Sequence, residues 1–209
     1  MEDADSFLAE PADTREAIMQ ATYRALCEHG YAGLTISRIA EDFSKSKSLL
    51  YHHYESKDEL LLDFLAFMLE RFQAAVPEES ADPPEDRLEA VLETALSPGE
   101  GGPDLEFLRA MTELRAQAAH DERFRDHFRT HDRVFRETLV EIIDAGVESG
   151  VFREVDADQV AAFLFAALAG GMNQQATAEM GAEAETLAEL RWYVDHRLLA
   201  DDAQKTYLG

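Results

Sequence analysis

The stretch Leu34-Thr35-Ile36-Ser37-Arg38-Ile39-Ala40-Glu41-Asp42-Phe43-Ser44-Lys45-Ser46-Lys47-Ser48-Leu49-Leu50-Tyr51-His52-His53-Tyr54-Glu55-Ser56-Lys57 decides the fold. Its spacing predicts two short helices with a tight break between them. Thr35 can cap the first, because its hydroxyl can accept from the unpaired amides of the first turn. Ile36, Ile39, Ala40 and Phe43 recur at helical spacing and give that helix one apolar face. Ser44 and Lys45 interrupt the pattern. Ser46 can cap a second helix, with apolar positions at Leu49, Leu50 and Tyr54. Two short helices across a tight turn make a helix-turn-helix, whose second helix can lie in the DNA major groove.

Charge supports this locally. Four basic residues (Arg38, Lys45, Lys47, Lys57) stand against three acidic ones (Glu41, Asp42, Glu55) in this stretch, a net of +1. The whole chain of 209 residues carries −24. A near-neutral island in so acidic a chain is where a polyanion is tolerated.

The stretch resembles the DNA-binding domain of the TetR family of transcriptional regulators. The resemblance rests on Gly30-Tyr31, Thr35-Ile36, Ile39-Ala40 and then Ser46 through Leu60. The family pattern there is a serine, a lysine, a small residue, a leucine, a run of aromatics and then Ser-Lys-acidic-acidic-Leu. Two positions depart from it. Ser44 stands where the family usually has the turn glycine, and Lys45 where it usually has a small apolar residue. The second half is similar to the choline-regulator-like branch, through His120-Asp121-Glu122-Arg123-Phe124, Gly146 and Gly150-Val151-Phe152, Asp156 and Gly170-Gly171-Met172.

The rest of the chain reads as helical. Asp13 or Thr14 can open a helix that Gly30 stops. Ser56 and Glu59 form a capping box for a helix running to about Ala75. Further helices are expected over 84–96, 104–119, 121–149, 156–179 and 183–199. Pro77 and Ser97-Pro98-Gly99-Glu100-Gly101-Gly102-Pro103 are loop signals, and Met180-Gly181 breaks the chain again. No strand or repeat is read, so the fold class is all-α. The resemblance implies about nine helices in an N-terminal three-helix DNA-binding domain and a C-terminal helical ligand-binding and dimerisation domain. The expected division is a disordered acidic arm at 1–12, the helix-turn-helix domain at 13–57, the effector and dimerisation domain at 58–201 and a tail at 202–209.

Composition excludes several classes. No apolar run reaches about 18 residues, so no membrane span is read. The acidic start Met1-Glu2-Asp3-Ala4-Asp5-Ser6 is not a signal peptide, and a cytoplasmic location is expected. The single cysteine, Cys27, allows no internal disulfide and reads as a small buried apolar residue. The acidity has two readings: an acidic interaction protein for basic partners, or a surface adapted to high salt. Lysine is scarce and the acids are spread along the whole chain, which favours high salt. At molar salt the Debye length is about 3 Å, so remote carboxylates repel DNA little. Affinity then cannot rest mainly on counterion release, and base contacts and shape must contribute more.

The helix after Ser46 is expected to enter the major groove. Lys47 and Tyr51 suit phosphates, which fix register. Ser48, Leu49 and His52 suit base edges, where a serine can meet any base and a leucine a thymine methyl. Thr35 and Lys57 sit near helix starts that favour phosphate. Lys45, Ser46 and His53 complete the expected DNA-binding set. Specific affinity needs two such heads, hence a two-fold dimer on palindromic operator DNA. The resemblance places the dimer surface on the last two helices, with Phe163, Leu164, Leu168, Leu187, Leu190, Val194 and Leu198; the alternative is that these close their own core. It also implies a small-molecule effector, apolar or amphipathic, among Phe64, Met68, Phe72, Phe107, Met111, Phe128, His131, Phe135, Phe165 and Met172. Any one of these is more simply core.

Two further constellations lie in the second half of the chain. His127 and His131 lie four apart on a helix, a spacing that can bind metal. Arg125, Arg129, Arg133 and Arg136 flank them and oppose a cation, so neither metal nor cofactor is expected. The same arginines, with Arg109, Arg115 and Arg123, can hold an anionic effector or pair with nearby carboxylates. No nucleophile motif, phosphate loop or acid–base constellation appears, so no enzyme is expected. The function read is a sequence-specific DNA-binding transcriptional regulator, a dimeric repressor released by its effector. An activator of the same fold and an acidic interaction protein with a degenerate helix-turn-helix are the alternatives.

Overall fold

Gly30 is where the first helix stops being regular. In the computed structural model, which describes residues 11–43, 47–75, 82–96, 105–178 and 183–200, helix α1 (Thr14–Gly33) opens on Asp13. The Asp13 carboxylate accepts from the Glu16 amide at 2.8 Å. Ala17, Ile18, Ala21, Ala25 and Leu26 form its buried stripe. Gly30 then takes φ 63°, a region that favours glycine. Leu34 N–H turns back to Gly30 O at 3.1 Å and closes the end. Cys27 is half-buried, less covered than its expected core role requires.

The helix pair follows as the sequence predicts. Thr35 Oγ1 accepts from Arg38 N–H at 3.2 Å and caps α2 (Ile36–Asp42). Helix α3 (Lys47–His53) comes next. Ser44, Lys45 and Ser46 lie outside the described residues. Helix α4 (Lys57–Ala75) begins at the expected capping box. Ser56 Oγ accepts from Glu59 N–H at 3.2 Å, and Glu59 Oε2 accepts from Glu55 N–H at 2.8 Å. The return bond thus reaches Glu55 rather than Ser56.

The remaining elements are α5 (Pro84–Leu96), α6 (Leu105–Gln117), α7 (Glu122–Ser149), α8 (Ala157–Ala178) and α9 (Glu183–Tyr193). Asp121 and Asp156 cap α7 and α8 through the Arg123 and Gln159 amides, at 2.8 and 3.0 Å. The last helix was expected to run to Leu199. Instead it widens into a π-helical turn at Val194–Leu198. Among the described residues there is no strand, only an isolated antiparallel bridge between Phe152 and Leu199. The protein is all-α. No described helix is long and apolar enough to cross a membrane. Residues 1–10 of the arm expected at 1–12, the breaks at Pro77, at Ser97–Pro103 and at Met180-Gly181, and the tail at 202–209 lie outside the described residues.

Two packing units divide the chain: Met1–Glu78 with Asp104–His131, and Glu79–Pro103 with Asp132–Gly209. The first is built on Ile18, Leu26, Ile39, Leu50, Leu61, Phe64, Leu114 and Phe124. Each such side chain contributes about 1.5–3 kcal/mol when fully buried. Helices α4 and α6 therefore close the core beneath the helix-turn-helix. The second unit is built on Leu88, Leu92, Leu139, Ile143, Phe152, Leu164, Leu168 and Leu198. The segment after α9 is clasped by Arg153 N–H on Leu198 O at 2.7 Å and Ala200 N–H on Val151 O at 2.9 Å.

Candidate nucleic-acid interface

Helix α3 has one buried anchor, Leu50, and Tyr54 is buried just beyond its end. Lys47, Ser48, Tyr51, His52 and His53 are exposed. Helical spacing sets Lys47 over Tyr51 and Ser48 over His52, so four polar groups share one face. Tyr51 is 52% exposed. Its hydroxyl lies 3.0 Å from Ser37 Oγ on α2. That pair holds the Tyr51 ring and brings a second hydroxyl to the same place. Ser37 was missed by the sequence reading, although it sits on the polar side of the Ile36–Ile39–Ala40 stripe. Arg38, also on α2, is exposed and donates to Gly33 O.

Other expected DNA contacts have local duties. Leu49 is half-buried and packs against the first core. The Thr35 oxygen is engaged in its cap, which leaves its proton to donate. Lys57 Nζ donates to Tyr31 O at 2.8 Å and stands 3.9 Å over the Tyr31 ring. An ammonium has three protons, so two remain for other acceptors. Lys45 and Ser46 lie outside the described residues. His52 and His53 meet edge to face at 5.8 Å.

A polar brace fixes the end of α3. Tyr54 Oη donates to Asp63 Oδ2 at 2.5 Å. Arg15 Nη2 donates to Asp63 Oδ1 at 2.7 Å, and Arg15 Nη1 donates to Glu70 at 2.8 Å. Burial and the Asp63 hydrogen bond push the Tyr54 phenol up. Burial also pushes the Asp63 carboxyl up, but the bonds from Arg15 and Tyr54 outweigh it and hold it below its ordinary range. Hydrogen bonds to Glu70 and Asp63 raise Arg15.

The expected effector residues fall in both units. Phe64, Met68, Phe72, Phe107, Met111, Phe128 and His131 belong to the first, and Phe135, Phe165 and Met172 to the second. Phe64 and Phe128 are buried core. The others are half-buried. Phe72 lies 6.4 Å from His131, and Phe135 lies 5.7 Å from Phe165.

Of the expected dimer residues, Leu164, Leu168, Leu187, Leu190, Val194 and Leu198 are buried in the second unit's own core. Only Phe163 is exposed, at 47%. It packs on Tyr193 at 4.7 Å. Trp192, which the sequence reading did not single out, is 55% exposed and stacks on His196 at 4.4 Å.

Three of the arginines in the histidine and arginine constellation pair with carboxylates, and a fourth bonds to backbone carbonyls. No group of three or more His, Cys, Asp or Glu side chains placed to hold a metal ion occurs among the described residues. Burial, with His131 and Arg115 nearby, lowers His127 to about 4. Arg123 pairs with Asp121 at 2.7 Å, Arg129 with Asp126 at 2.5 Å and Arg133 with Glu137 at 3.8 Å. Arg125 donates to the Ala118 and Ala119 carbonyls.

A short helix with one polar face turned outward, set beside a second short helix on the same core, is the arrangement of a helix-turn-helix. Residues 18–64 match the family described as bacterial regulatory proteins, tetR family, and residues 84–199 match the BetI-type transcriptional repressor C-terminal family. The chain is 30% identical over 181 residues to the HTH-type transcriptional repressor AcnR of Corynebacterium glutamicum, covering 86% of this chain and 89% of that protein. It also resembles a TetR transcription regulator from Haloarcula marismortui, with 39% identity, a TM-score of 0.79, and 90% of this chain and 99% of that chain covered. A regulator from Saccharomonospora viridis solved in complex with choline shares the fold, at 24% identity and a TM-score of 0.75 over 89% of this chain and 97% of that one. The chain belongs to the TetR family of DNA-binding transcriptional regulators, and it is not an enzyme.

Proposed function

We propose that the protein is a dimeric repressor that binds a palindromic operator through α3 and leaves it when a small effector binds. The observation that carries the reading is the exposed face of Lys47, Ser48, Tyr51 and His52 on a helix anchored by buried Leu50 and Tyr54. Lys47, Tyr51 and Ser37 supply phosphate contacts, and Ser48 and His52 reach base edges. Thr35, Lys57 and His53 stand at the margin.

Phe163 and Trp192 support a second copy of the chain as partner. Large aromatics left open on α8 and α9 are surface that a two-fold interface would cover. The six buried aliphatic residues position these helices from behind.

The effector is apolar or amphipathic. The half-buried Met68, Phe72, Phe107 and Met111 of the first unit are of the adaptable type that lines such sites. Choline, bound by the Saccharomonospora protein, is the first ligand to try. Aromatic faces attract quaternary ammonium groups, and a net charge of −24 favours cations. The same charge supports work in high salt, in the cytoplasm where the DNA is. Release then requires that the effector bind the non-matching arrangement of the two heads more tightly.

The test is Lys47→Ala combined with Tyr51→Phe. It is expected to abolish operator binding and leave the helical spectrum and oligomeric state unchanged. A double variant that binds like the wild type removes α3 as the reading helix.

A further inference from the structure

Tyr31 is held from four sides at the joint between α1 and the helix pair. Its N–H donates to Glu113 Oε2 of α6 at 2.5 Å. Its carbonyl accepts from Lys57 Nζ at 2.8 Å, and its ring lies under the same ammonium at 3.9 Å. Its hydroxyl donates to Asp58 Oδ1 at 3.1 Å. Its ring also meets Phe124 of α7 edge to face at 6.5 Å. All of these residues belong to the first unit.

The chemistry follows from Gly30. A residue inside a helix would give its N–H to the carbonyl four residues earlier. Gly30, at φ 63° and ψ 171°, turns the chain out of that register. The Tyr31 amide then needs another acceptor, and a carboxylate makes a stronger bond than a neutral oxygen. Glu113 fills the space a side chain at position 30 would use: a β-carbon on Gly30 would lie 2.9 and 3.0 Å from its two oxygens. Gly30 is thus fixed by its own backbone and by Glu113.

We propose that Glu113 is a positioning residue for operator binding. Its carboxylate, accepting from Tyr31 N–H, holds the break that sets where α2 and α3 stand on the core. Glu113 is reached across 82 residues of sequence and belongs to α6, not to the helix-turn-helix. Movement of α6 would therefore act directly on the joint, with Lys57 and Asp58 at the start of α4 tied to the same residue. This rests on the reading of α3 as the DNA-binding helix.

The test compares Glu113→Ala with Glu113→Gln, whose amide oxygen can still accept from Tyr31. Binding is measured in molar potassium chloride to DNA from upstream of the chain's own gene and to a shuffled fragment of equal length. Amide hydrogen exchange is followed in parallel. The alanine variant is expected to bind the upstream fragment about tenfold more weakly, with binding to the shuffled fragment unchanged, and the glutamine variant within about threefold of wild type. In the wild type the Tyr31 amide is protected. In the alanine variant it opens, together with amides of Ile36–Asp42 and Lys47–His53. Wild-type affinity in the alanine variant, or equal losses in both variants, overturns the proposal. If neither variant folds, free exchange of Tyr31 in the wild type overturns it and protection there sustains it. If the wild type fails to discriminate the two fragments, the DNA-binding reading fails, and the exchange data still decide the Tyr31–Glu113 joint.

Discussion

Tyr54, the first residue past α3, gives its hydroxyl proton to Asp63 of α4 at 2.5 Å. Asp63 is held in turn by Arg15 of α1 at 2.7 Å. The brace joins α1, α3 and α4 at the end of α3. Tyr54→Phe keeps the ring and removes the bond, and is expected to cost about 1–2 kcal/mol of unfolding free energy. Asp63→Ala removes the acceptor of both Tyr54 and Arg15 and is expected to cost more. Urea unfolding of the two variants checks the order. Equal stabilities, or the reverse order, contradict it.

Gly146 leaves no room for a side chain. A β-carbon there would lie 2.0 Å from Phe152 Cδ2. Phe152 is buried, and its N–H donates to Gly146 O at 2.9 Å. The residues on either side of Phe152 bond to Leu198 and Ala200, which ties the ring's backbone in place. Gly146→Ala is expected to destabilise the fold by about 2–3 kcal/mol through overpacking. A shift of the thermal midpoint of less than a degree would show that the ring gives way freely.

His127 makes stability pH-dependent. Burial, His131 and Arg115 lower it to about 4, against an ordinary value near 6.5. Between about pH 6.5 and 4 the unfolded chain takes up a proton that the folded chain refuses. Stability therefore falls as pH drops through that window, by on the order of 1–3 kcal/mol. His127→Gln is expected to flatten that part of the profile. Asp63, depressed by its partners, loses its own contribution only at lower pH, below its ordinary carboxyl range. An unchanged slope in the glutamine variant assigns the effect elsewhere.

Phe163 and Trp192 are the exposed aromatics of α8 and α9. Phe163→Asp with Trp192→Asp places charge on a face expected to be covered by a second copy. The variant is expected to sediment as a monomer and to keep its helical content, since both side chains are about half exposed in the single chain. A dimer that survives both changes lies on another face.

The helix-turn-helix was legible because its signals are local. Thr35 and Ser56 cap where their neighbours predict, and Ile36, Ile39 and Leu50 fall on the buried side at helical spacing. The span of α5 is met to the residue. What sequence leaves open is which body a helical stripe faces. Leu164, Leu187 and Leu198 were expected at an interface because the last two helices carry so much apolar surface, yet they are buried in their own unit's core. Periodicity marks an apolar face and does not say whose surface covers it. The hold of the Tyr31 carbonyl on Lys57 was not legible, because the two residues are 26 apart in sequence. Tyr31 itself carried no local sign of its role, since Glu113 lies on another helix. The effector residues were expected as one set by residue type, and they fall in two packing units.

The most direct measurement is a footprint of the protein on DNA from upstream of its own gene, in molar potassium chloride, beside shuffled DNA of equal length. The account predicts saturable protection of two inverted half-sites on the upstream fragment, lost when Lys47 and Tyr51 are replaced. Half-site centres are expected about 34–36 Å apart or a multiple of that distance. Weak protection indifferent to sequence, or protection that survives the double replacement, would contradict it.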